Sequence, residues 1–593
     1  MRDMLRWGAA ALLATMTAAA VAAGQGGHAV VSQDAGIADP AIPRPAIAPC
    51  TVTLLKDMQF DAHGNPVAMN AQPHPWHYAP PAQCRGAWSK VVLEMDFSVT
   101  AGRQYDRTAS LWLDGVNLFF GTTREPGATV SPRWHVERDL TDYASLFRHP
   151  GTGQAILNNW VNGTYTGVIS GSAKLLIYPA AKGIAAATPA DRVYGLAGAS
   201  HGAPVSVENG QQALSRTLRL PRNVERAYLD VIAQSQSTDE QWFMCIDDAD
   251  LRPTREYSLG PPASGDPLEQ CGNGNFREVE VSIDGQPAGR APVYPWIYTG
   301  GVDPHLWRPT PGVQTLDFVP YRIDLTPFAA RLDDGRPHTV AVRVIDAHHF
   351  FSLAANLLVY LDHGRRVLSG RLLQNTLATD RARLAPRVER HWKDAVDGSV
   401  DTLQQGDYLI AGELDTSHGT VLTRVRQQSS FANRQRFVHP DATTYHQIID
   451  LDTRVTDTVS TTIGATTTTR QRVLHYPLHI DVVKQLTQGG AFTTRISLQQ
   501  GYAKRIDQTR GGRTVYWSNL DNALASHDTA DFNAAGTAIM HPRDQYGQQT
   551  YRYRDAWGSC YMRRVETRNE TVTSVVSGEG CPGGVNHLDW RSL

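Results

Sequence analysis

The stretch Ser110-Leu-Trp-Leu-Asp-Gly115 has the pattern of a short β-strand bounded by turn-forming residues. A related stretch, Glu280-Val-Ser-Ile-Asp-Gly285, occurs later in the chain. Each is followed, in the same order, by two further similar segments: Asp139-Leu-Thr-Asp-Tyr143 and Ala173-Lys-Leu-Leu-Ile-Tyr178 in the first copy, Ile323-Asp-Leu-Thr-Pro-Phe328 and Ala355-Asn-Leu-Leu-Val-Tyr360 in the second. The first two segments are roughly 25 residues apart in one copy and roughly 40 in the other. The sequence therefore predicts a degenerate duplication, with a loop inserted in the second copy.

The rest of the chain is consistent with an all-β protein. Short apolar or alternating runs are separated by Gly, Pro, Asn and Asp, and no long helical period occurs. We expect two β-sandwiches of like topology side by side, at 48–195 and 196–365, after a linker at 24–47. A further β-rich domain of unknown role is predicted at 366–593. Its aromatic segments, Val515–Trp517 and Tyr551–Trp557, fit either a sugar platform or packing within the sheet.

Composition and the N-terminus limit the partners and the location. The chain has 593 residues and a net charge of −2, so it gives no electrostatic reason to expect a nucleic-acid partner. Residues 1–23 combine a basic start, an apolar run and small residues, which is typical of a signal peptide. No later stretch is apolar enough to predict a membrane span. We expect a secreted or periplasmic monomer with no membrane partner.

Six cysteines fit an oxidising compartment. Their grouping suggests three pairs, although six cysteines allow fifteen connectivities: Cys50 with Cys84, Cys245 with Cys271, and Cys560 with Cys581. None has the spacing of a zinc site, and the pair His348-His349 would point to opposite faces of a strand. We therefore predict no metal and no cofactor.

Gly102-Arg-Gln-Tyr-Asp-Arg107 is the first candidate site. It places Tyr105, Asp106 and Arg107 where a turn opens into a strand, and such junctions often present catalytic groups. An ion pair at a sheet edge is the alternative.

The second candidate is Thr238–Cys245, in which Glu240 lies two residues before Trp242. An apolar neighbour would raise the pKa of that carboxyl, whereas a solvated acidic loop is the alternative.

Two aromatic and polar stretches complete the candidates, Gln154–Trp160 and Tyr294–Trp307. A sugar offers an apolar face and a rim of hydroxyls, so aromatic and amide side chains suit its binding. The same aromatic loops can instead close the end of a sandwich.

Taken together, several motifs resemble those of the peptide N-glycosidase A family: Gly102–Arg107, Leu111–Gly115, Thr123-Arg-Glu-Pro126, Asn159-Trp160, Tyr165-Thr-Gly167, Tyr298-Thr-Gly-Gly301 and His305-Leu-Trp307. The resemblance covers roughly residues 50 to 362. It implies two adjacent jelly-roll sandwiches, as in the distantly related bacterial PNGase F. It also implies hydrolysis of the amide between an asparagine side chain and the first N-acetylglucosamine of an N-glycan.

The resemblance also implies site residues. Asp106 corresponds to the key aspartate, and Glu240 to a second carboxylate with a one-residue insertion beside Trp242. Asn158 stands where the bacterial relative has a third acid, so no carboxylate is available there. We expect substrate contacts from seven residues: Tyr105, Arg107, Asn158, Trp160, Trp242, His305 and Trp307.

A metal-free amidase needs a group that activates water and a group that protonates the leaving nitrogen. We expect Asp106 and Glu240 to share these tasks, in either order, or Glu240 to hold the sugar instead, with activity at acidic pH. Two other functions remain open: a glycan-binding protein without catalysis, and a glycosidase that uses the same carboxylates.

Overall fold

The structure is a computed structural model that describes residues 28–29, 34–61, 73–197, 201–247, 273–379, 385–393, 397–441, 443–533 and 539–590. Over these residues the chain is built almost entirely of β-strands arranged in five sheets, which confirms the all-β prediction. Its first strand, β1 (His28–Ala29), pairs with the last strand of the chain. In the described part of the chain, no helix is both long and apolar enough to cross a bilayer.

The first sandwich contains eight strands: β2 (Cys50–Phe60), β3 (His74–Tyr78), β4 (Trp88–Val99), β5 (Thr108–Leu113), β6 (Val116–Thr122), β7 (Arg133–Asp139), β8 (Gly151–Leu157) and β9 (Ile169–Pro179). One sheet has the order β2-β9-β4-β7 and the other the order β3-β8-β5-β6. This passage of the chain between two antiparallel sheets is the jelly-roll arrangement.

The second sandwich repeats this topology. Its strands are β10 (Arg192–Gly195), β11 (Val205–Val207), β12 (Leu214–Arg219), β13 (Val224–Ser235), β14 (Glu278–Ile283), β15 (Gln286–Pro292), β16 (Tyr321–Asp324), β17 (Pro337–Ile345) and β18 (Phe351–Leu361). The sheet orders are β10-β18-β13-β16, with β11 also on β18, and β12-β17-β14-β15. A one-turn helix, α1 (Ala329–Leu332), precedes β17. The expected pair of jelly rolls is confirmed.

The repeated Asp-Gly pairs form the same turn in both sandwiches. Asp114 and Gly115 have φ of 49° and 81°, and Asp284 and Gly285 have φ of 49° and 77°. Two successive positive φ angles define the type I′ turn that joins β5 to β6 and β14 to β15. The predicted insertion is the β15–β16 loop, residues 293–320, which corresponds to the shorter β6–β7 loop at 123–132.

A sheet of thirteen strands follows the sandwiches. Its strands are β19 (Ser369–Asn375), β20 (Arg387–Trp392), β21 (Gly398–Thr416), β22 (Gly419–Asp441), β23 (Thr444–Ile463), β24 (Thr466–Leu486), β25 (Phe492–Arg510), β26 (Arg513–Phe532), β27 (Ile539–Asp555), β28 (Cys560–Arg568), β29 (Thr571–Ser577) and β30 (His587–Leu588), together with β1. Strands β21 to β28 pair in sequence order. The sheet packs on the inserted β15–β16 loop, where the ring of Tyr294 lies 5.0 Å from that of Tyr476.

Residues 34–47, part of the predicted linker at 24–47, are packed against the folded units. Arg44 pairs with Glu94 at 2.7 Å and also with Glu137, both in the first sandwich. Asn522 of β26 donates a hydrogen bond of 2.6 Å to Asp39. The Ala, Gly and Pro content suggested a free segment, whereas these charged and polar side chains fix it to two units.

Two of the suggested disulfides are present, Cys50–Cys84 and Cys560–Cys581. The first links the start of β2 to the turn before β4, and the second links β28 to the segment before β30. The suggested Cys245–Cys271 pair involves residue 271, which lies outside the described residues.

Candidate active site

Asp106 lies in the β4–β5 loop of the first sandwich, directly before β5. Its partly exposed carboxylate accepts a hydrogen bond from the backbone N–H of Gly300, in the inserted loop of the second sandwich. Burial raises the pKa of Asp106, while the Gly300 N–H and the charge of Arg107 act in the opposite direction. The carboxylate therefore sits where the two sandwiches meet.

Glu125 of the β6–β7 loop is the neighbour of Asp106. The backbone N–H of Asp106 donates a hydrogen bond to the Glu125 carboxyl. Burial, with the charge of Asp106, raises the pKa of Glu125 to about 8, although Arg308 opposes the change. Arg308 lies 3.5 Å from this carboxyl and donates a 2.7 Å hydrogen bond to the Glu125 carbonyl. Glu125 is thus predominantly protonated at a pH at which an ordinary glutamate is ionised.

Gly300 permits the two carboxyl groups to approach the inserted loop closely. A Cβ at this position would lie 2.5 Å from Glu125 Oε2 and 2.9 Å from Asp106 Cγ. A side chain at this position would therefore clash with both carboxyl groups. The glycine therefore lets one backbone segment contact both acids.

Glu240 lies in the β13–β14 loop and approaches the same region through Tyr298. The charges of Glu240 and Asp106 add to burial in raising the pKa of Tyr298 well above its ordinary value. The buried Tyr298 hydroxyl donates a hydrogen bond to the carbonyl of Ser235, and Ser235 Oγ donates one of 3.0 Å to the carbonyl of Glu240. Asp106 and Glu240 therefore both lie near enough to Tyr298 for their charges to act on its hydroxyl.

A buried ion pair fixes the backbone beside Glu240. Arg277 Nε donates a 2.9 Å hydrogen bond to Asp239, and both side chains are fully inaccessible to solvent. The other Asp239 oxygen accepts hydrogen bonds from the backbone N–H groups of His348 and His349, at 2.8 and 2.7 Å. The alternative of a solvated acidic loop is therefore wrong for Asp239, which is buried and fixes the turn at 237–240.

Arg107 and Tyr105 form a stacked pair next to Asp106. The guanidinium carbon lies 3.6 Å from the centre of the Tyr105 ring, and Nη1 donates a 2.9 Å hydrogen bond to Gln104. Within the described residues, the buried Nε and Nη2 of Arg107 have no hydrogen-bond partner. The Tyr105 hydroxyl reaches the carbonyl of Asn158 at 3.4 Å. Arg107 is therefore a buried cation, and its charge acts on both Asp106 and Glu125.

The 158–160 segment borders Tyr105 on the first sandwich. Asn158 and Trp160 are partly exposed, whereas Asn159 is buried and donates hydrogen bonds to the carbonyls of Phe60 and Gly167 at 2.6 and 3.1 Å. The hydrogen bonds of the Asn159 amide thereby keep Asn158 and Trp160 at the surface. Substrate contacts by Asn158 and Trp160 remain predictions.

Two predicted sugar contacts lie inside the protein. Trp242 is 1% exposed and stacks on Phe431 of the thirteen-stranded sheet, with ring centres 6.2 Å apart. Trp307 is 3% exposed, and its indole N–H donates a 2.8 Å hydrogen bond to the carbonyl of Gly301. Because both indoles pack in the core, the structure does not support direct contact between either of them and a sugar.

The thirteen-stranded sheet reaches the site through the β28–β29 turn, which contains none of the predicted site residues. Glu570 in this turn lies 2.8 Å from His305 Nδ1 and 3.3 Å from Arg308 Nη1. These contacts lower the pKa of Glu570 to about 2. His305, predicted to contact substrate, thus connects to the C-terminal sheet, and Arg308 connects Glu570 to Glu125.

Equivalent loops of the two jelly rolls supply these groups. Asp106 and Glu240 follow the corresponding strands β4 and β13, while Glu125 and Gly300 follow the corresponding strands β6 and β15. The two long loops are tied together because Thr299 Oγ1 donates a 2.7 Å hydrogen bond to the carbonyl of Thr123. The site is therefore a product of the duplication.

A metal-binding geometry occurs elsewhere, among Glu94, His135 and Glu137. Arg44 pairs with both glutamates, and Lys174 lies 2.8 Å from Glu94, so cations of the chain already neutralise this group. At the Asp106 site the chemistry available is that of two adjacent carboxyl groups with different proton affinities, which suits acid–base catalysis.

Comparison with known proteins identifies the family of the chain. Residues 40–373, more than half of the chain, match the sequence profile of peptide N-acetyl-β-D-glucosaminyl asparaginase amidase A. The peptide-N4-(N-acetyl-β-glucosaminyl)asparagine amidase A of Prunus dulcis is 26% identical over 559 residues, covering 91% of each chain. PNGase F from Flavobacterium meningosepticum is 13% identical over 53% of this chain and 96% of its own, with a TM-score of 0.33. PNGF-II is 12% identical over 53% and 66%, with a TM-score of 0.34. The chain belongs to the peptide N-acetyl-β-D-glucosaminyl asparaginase amidase A family.

Proposed function

We propose that Asp106 and Glu125 are the catalytic base and acid with which this chain, an N-glycan-releasing amidase of the family, hydrolyses the asparagine–N-acetylglucosamine amide of N-glycopeptides. The observation that carries this assignment is the close approach of the Asp106 and Glu125 carboxyl groups. Two carboxyl groups with raised pKa values meet at Gly300, and one backbone N–H links them. Like charges held this close favour a state in which one acid is ionised and the other protonated.

The reaction begins with a water molecule at the side-chain carbonyl carbon of the substrate. Asp106 accepts a proton as the water oxygen forms the new bond to carbon. Glu125 then gives its proton to the amide nitrogen as the carbon–nitrogen bond breaks. The products are an aspartate-containing peptide and a glycosylamine, which loses ammonia in water. No step requires a covalent intermediate with the enzyme.

Arg107 supports the roles of Asp106 as the base and Glu125 as the acid. Its positive charge lowers the pKa of Asp106 against the effect of burial, so it favours the ionised base. The same charge also stabilises the oxygen that becomes negative in the transition state. Tyr105 stacks on the guanidinium and limits its movement.

Glu240, expected either to share the acid–base chemistry or to hold the sugar, fits the second role better. Its charge acts on Tyr298, whose hydroxyl is committed to Ser235, whereas Glu125 contacts the backbone of Asp106 directly. We assign Glu240 to binding of the first sugar. Proton donation by Glu240 is the competing assignment, and it predicts that Glu125→Gln keeps its activity.

Export to the periplasm or the outside of the cell is part of the proposal. The signal-like residues 1–23 support it, and so do the disulfides Cys50–Cys84 and Cys560–Cys581, since disulfides form mainly in oxidising compartments. We expect activity on the acid side of neutral, where Glu125 holds its proton. We also expect the monomer to be the active form.

A short N-glycopeptide read by mass spectrometry tests the proposal. The wild-type chain should convert the glycosylated asparagine to aspartate and release the intact glycan. A product with one sugar left on asparagine would instead identify a glycosidase, and capture of the glycan without product would identify a binding protein. Unchanged turnover in Asp106→Asn or Glu125→Gln would remove that residue from the chemistry.

A further inference from the structure

A second cavity lies away from the Asp106 cluster, between the thirteen-stranded sheet and the first sandwich. Its volume is about 610 Å³, and it is bounded by strands β25 to β27, the 34–43 segment and the 311–319 part of the inserted loop. Cavities of this size accommodate small organic ligands. Asp106, Glu125, Glu240 and Tyr298 are not among its lining residues. We call this cavity the sheet groove.

The floor of the sheet groove is one face of three neighbouring strands. Alternate residues of a strand point to the same side, and the strand register places the lining residues of β25, β26 and β27 beside one another. They are Tyr502, Lys504, Ile506, Ser518, Leu520, Asn522, Tyr551, Tyr553 and Asp555. A regular face of this kind is a preformed surface, which reduces the ordering needed when a ligand binds.

Aromatic rings line one part of this floor. The rings of Tyr516 and Trp557 lie 4.6 Å apart, and the hydroxyls of Tyr516 and Tyr553 are 3.2 Å apart. All three side chains are partly exposed. Trp590, also partly exposed, lies at the same cavity. These rings are accessible apolar surfaces with polar atoms at their edges.

Carboxyl and amide groups line another part. Asp39 accepts a 2.6 Å hydrogen bond from Asn522, and Gln549 is nearby at 3.5 Å. Asp317 Oδ1 is buried without a hydrogen bond in the described part of the chain, and its nearest cation, Arg138, is 3.7 Å away. Burial raises the pKa of Asp39 to about 7 and that of Asp317 to about 6, so both can donate as well as accept.

We propose that the sheet groove binds a neutral oligosaccharide. Sugar rings present an apolar face to aromatic side chains and hydroxyls to carboxyl and amide groups, and the groove offers both kinds of partner. Its acidic side chains (Asp34, Asp39, Glu137, Asp139, Asp317, Asp555 and Asp589) outnumber its lysines, Lys90 and Lys504. An anionic ligand is therefore disfavoured. This inference does not rest on the proposed catalytic roles.

Two variants and a matched control test the sheet groove in the full chain. Trp557→Ala removes an aromatic surface, and Asp317→Asn keeps the shape while removing the acid. Trp517→Ala is the control, because Trp517 is 37% exposed on β26 next to Tyr516 but does not line the cavity. The probe is the free neutral pentasaccharide core of an N-glycan, made of three mannose and two N-acetylglucosamine units. Calorimetry measures its affinity, and hydrogen exchange locates its binding.

The wild type and Trp517→Ala should bind the probe equally and show slower amide exchange around 551–557. We expect at least tenfold weaker binding by Trp557→Ala or Asp317→Asn, with unchanged glycopeptide turnover and thermal midpoint. The inference is overturned if the wild type shows no protection at 551–557, or if both groove variants bind as the wild type does. Because the probe is not cleaved, failure here leaves the amidase assignment untouched.

Discussion

The backbone N–H of Asp106 donates a hydrogen bond to the carboxyl group of Glu125. This bond joins the two loops of the first sandwich that contribute acids to the site, and Gly300 of the second sandwich contacts both acids. Two carboxyl groups this close titrate as a pair. The charge of each acid therefore influences the protonation of the other.

Removing either acid should abolish most of the turnover. Asp106→Asn and Glu125→Gln keep the shape of the side chain but cannot exchange the proton, and general acid–base groups contribute about 10²- to 10⁴-fold. We expect kcat on a short glycopeptide to fall by at least about 100-fold in each variant. Glu413→Gln, at a partly exposed strand position paired with Arg371, should retain wild-type kcat. Wild-type kcat in Glu125→Gln would transfer the acid role to Glu240.

The pH dependence of kcat/KM should reflect the protonation states of Asp106 and Glu125. Activity requires ionised Asp106 and protonated Glu125, so kcat/KM should fall as pH rises through the Glu125 pKa of about 8. It should also fall at low pH, below the raised pKa of Asp106. Arg308→Met removes a charge that lowers the Glu125 pKa, and the alkaline limb should then move to higher pH. An alkaline limb at the same pH in this variant would contradict the assignment.

Gly300→Ala tests the close approach of the inserted loop. The added Cβ would meet Glu125 Oε2 at 2.5 Å and Asp106 Cγ at 2.9 Å, so the carboxyl groups must separate. We expect kcat to fall by at least about tenfold, since catalysis is sensitive to small displacements of the reacting groups. Thermal unfolding serves as the control, and its midpoint should change little because Gly300 has no positive φ angle. Full activity in Gly300→Ala would show that the acids need not approach this loop.

Asp239→Asn should destabilise the protein rather than alter its chemistry. Asp239 and Arg277 are both inaccessible to solvent, and loss of one partner leaves the other charge buried. The expected loss in the free energy of unfolding is about 3–5 kcal/mol, measured by urea denaturation. Asp407→Asn, which disrupts a largely exposed pair with Arg426, is the matched control and should cost much less, because solvent screens an exposed pair. Equal effects of the two variants would contradict the structural role of Asp239.

The duplication and the first acid could be predicted from the sequence because their signals are local. The Asp-Gly turns repeat within short stretches, and Asp106 belongs to a compact motif. Glu125 and Gly300 were also present in recognised motifs, but their meeting depends on two loops of different sandwiches. Residue patterns do not report such distances.

The solvent exposure of the aromatic side chains could not be predicted from the sequence either. Trp242 and Trp307 fit a sugar-binding pattern, yet both lie in the core because the thirteen-stranded sheet and the inserted loop cover them. Glu570 had no local signal at all. Its contact with His305 spans 265 positions of the chain and arises from how the C-terminal sheet packs.

Glu570→Gln tests whether the C-terminal sheet tunes the site. With its pKa near 2, Glu570 is ionised across the working range and draws Arg308 and His305 toward the β28–β29 turn. The neutral variant leaves Arg308 freer to act on Glu125, which lowers the Glu125 pKa further. We expect the alkaline limb of kcat/KM to move to lower pH, opposite to Arg308→Met. Glu579→Gln, a more exposed acid paired with Arg564 at 3.7 Å, should leave the profile unchanged. A shift to higher pH in Glu570→Gln would show that this acid does not act through Arg308.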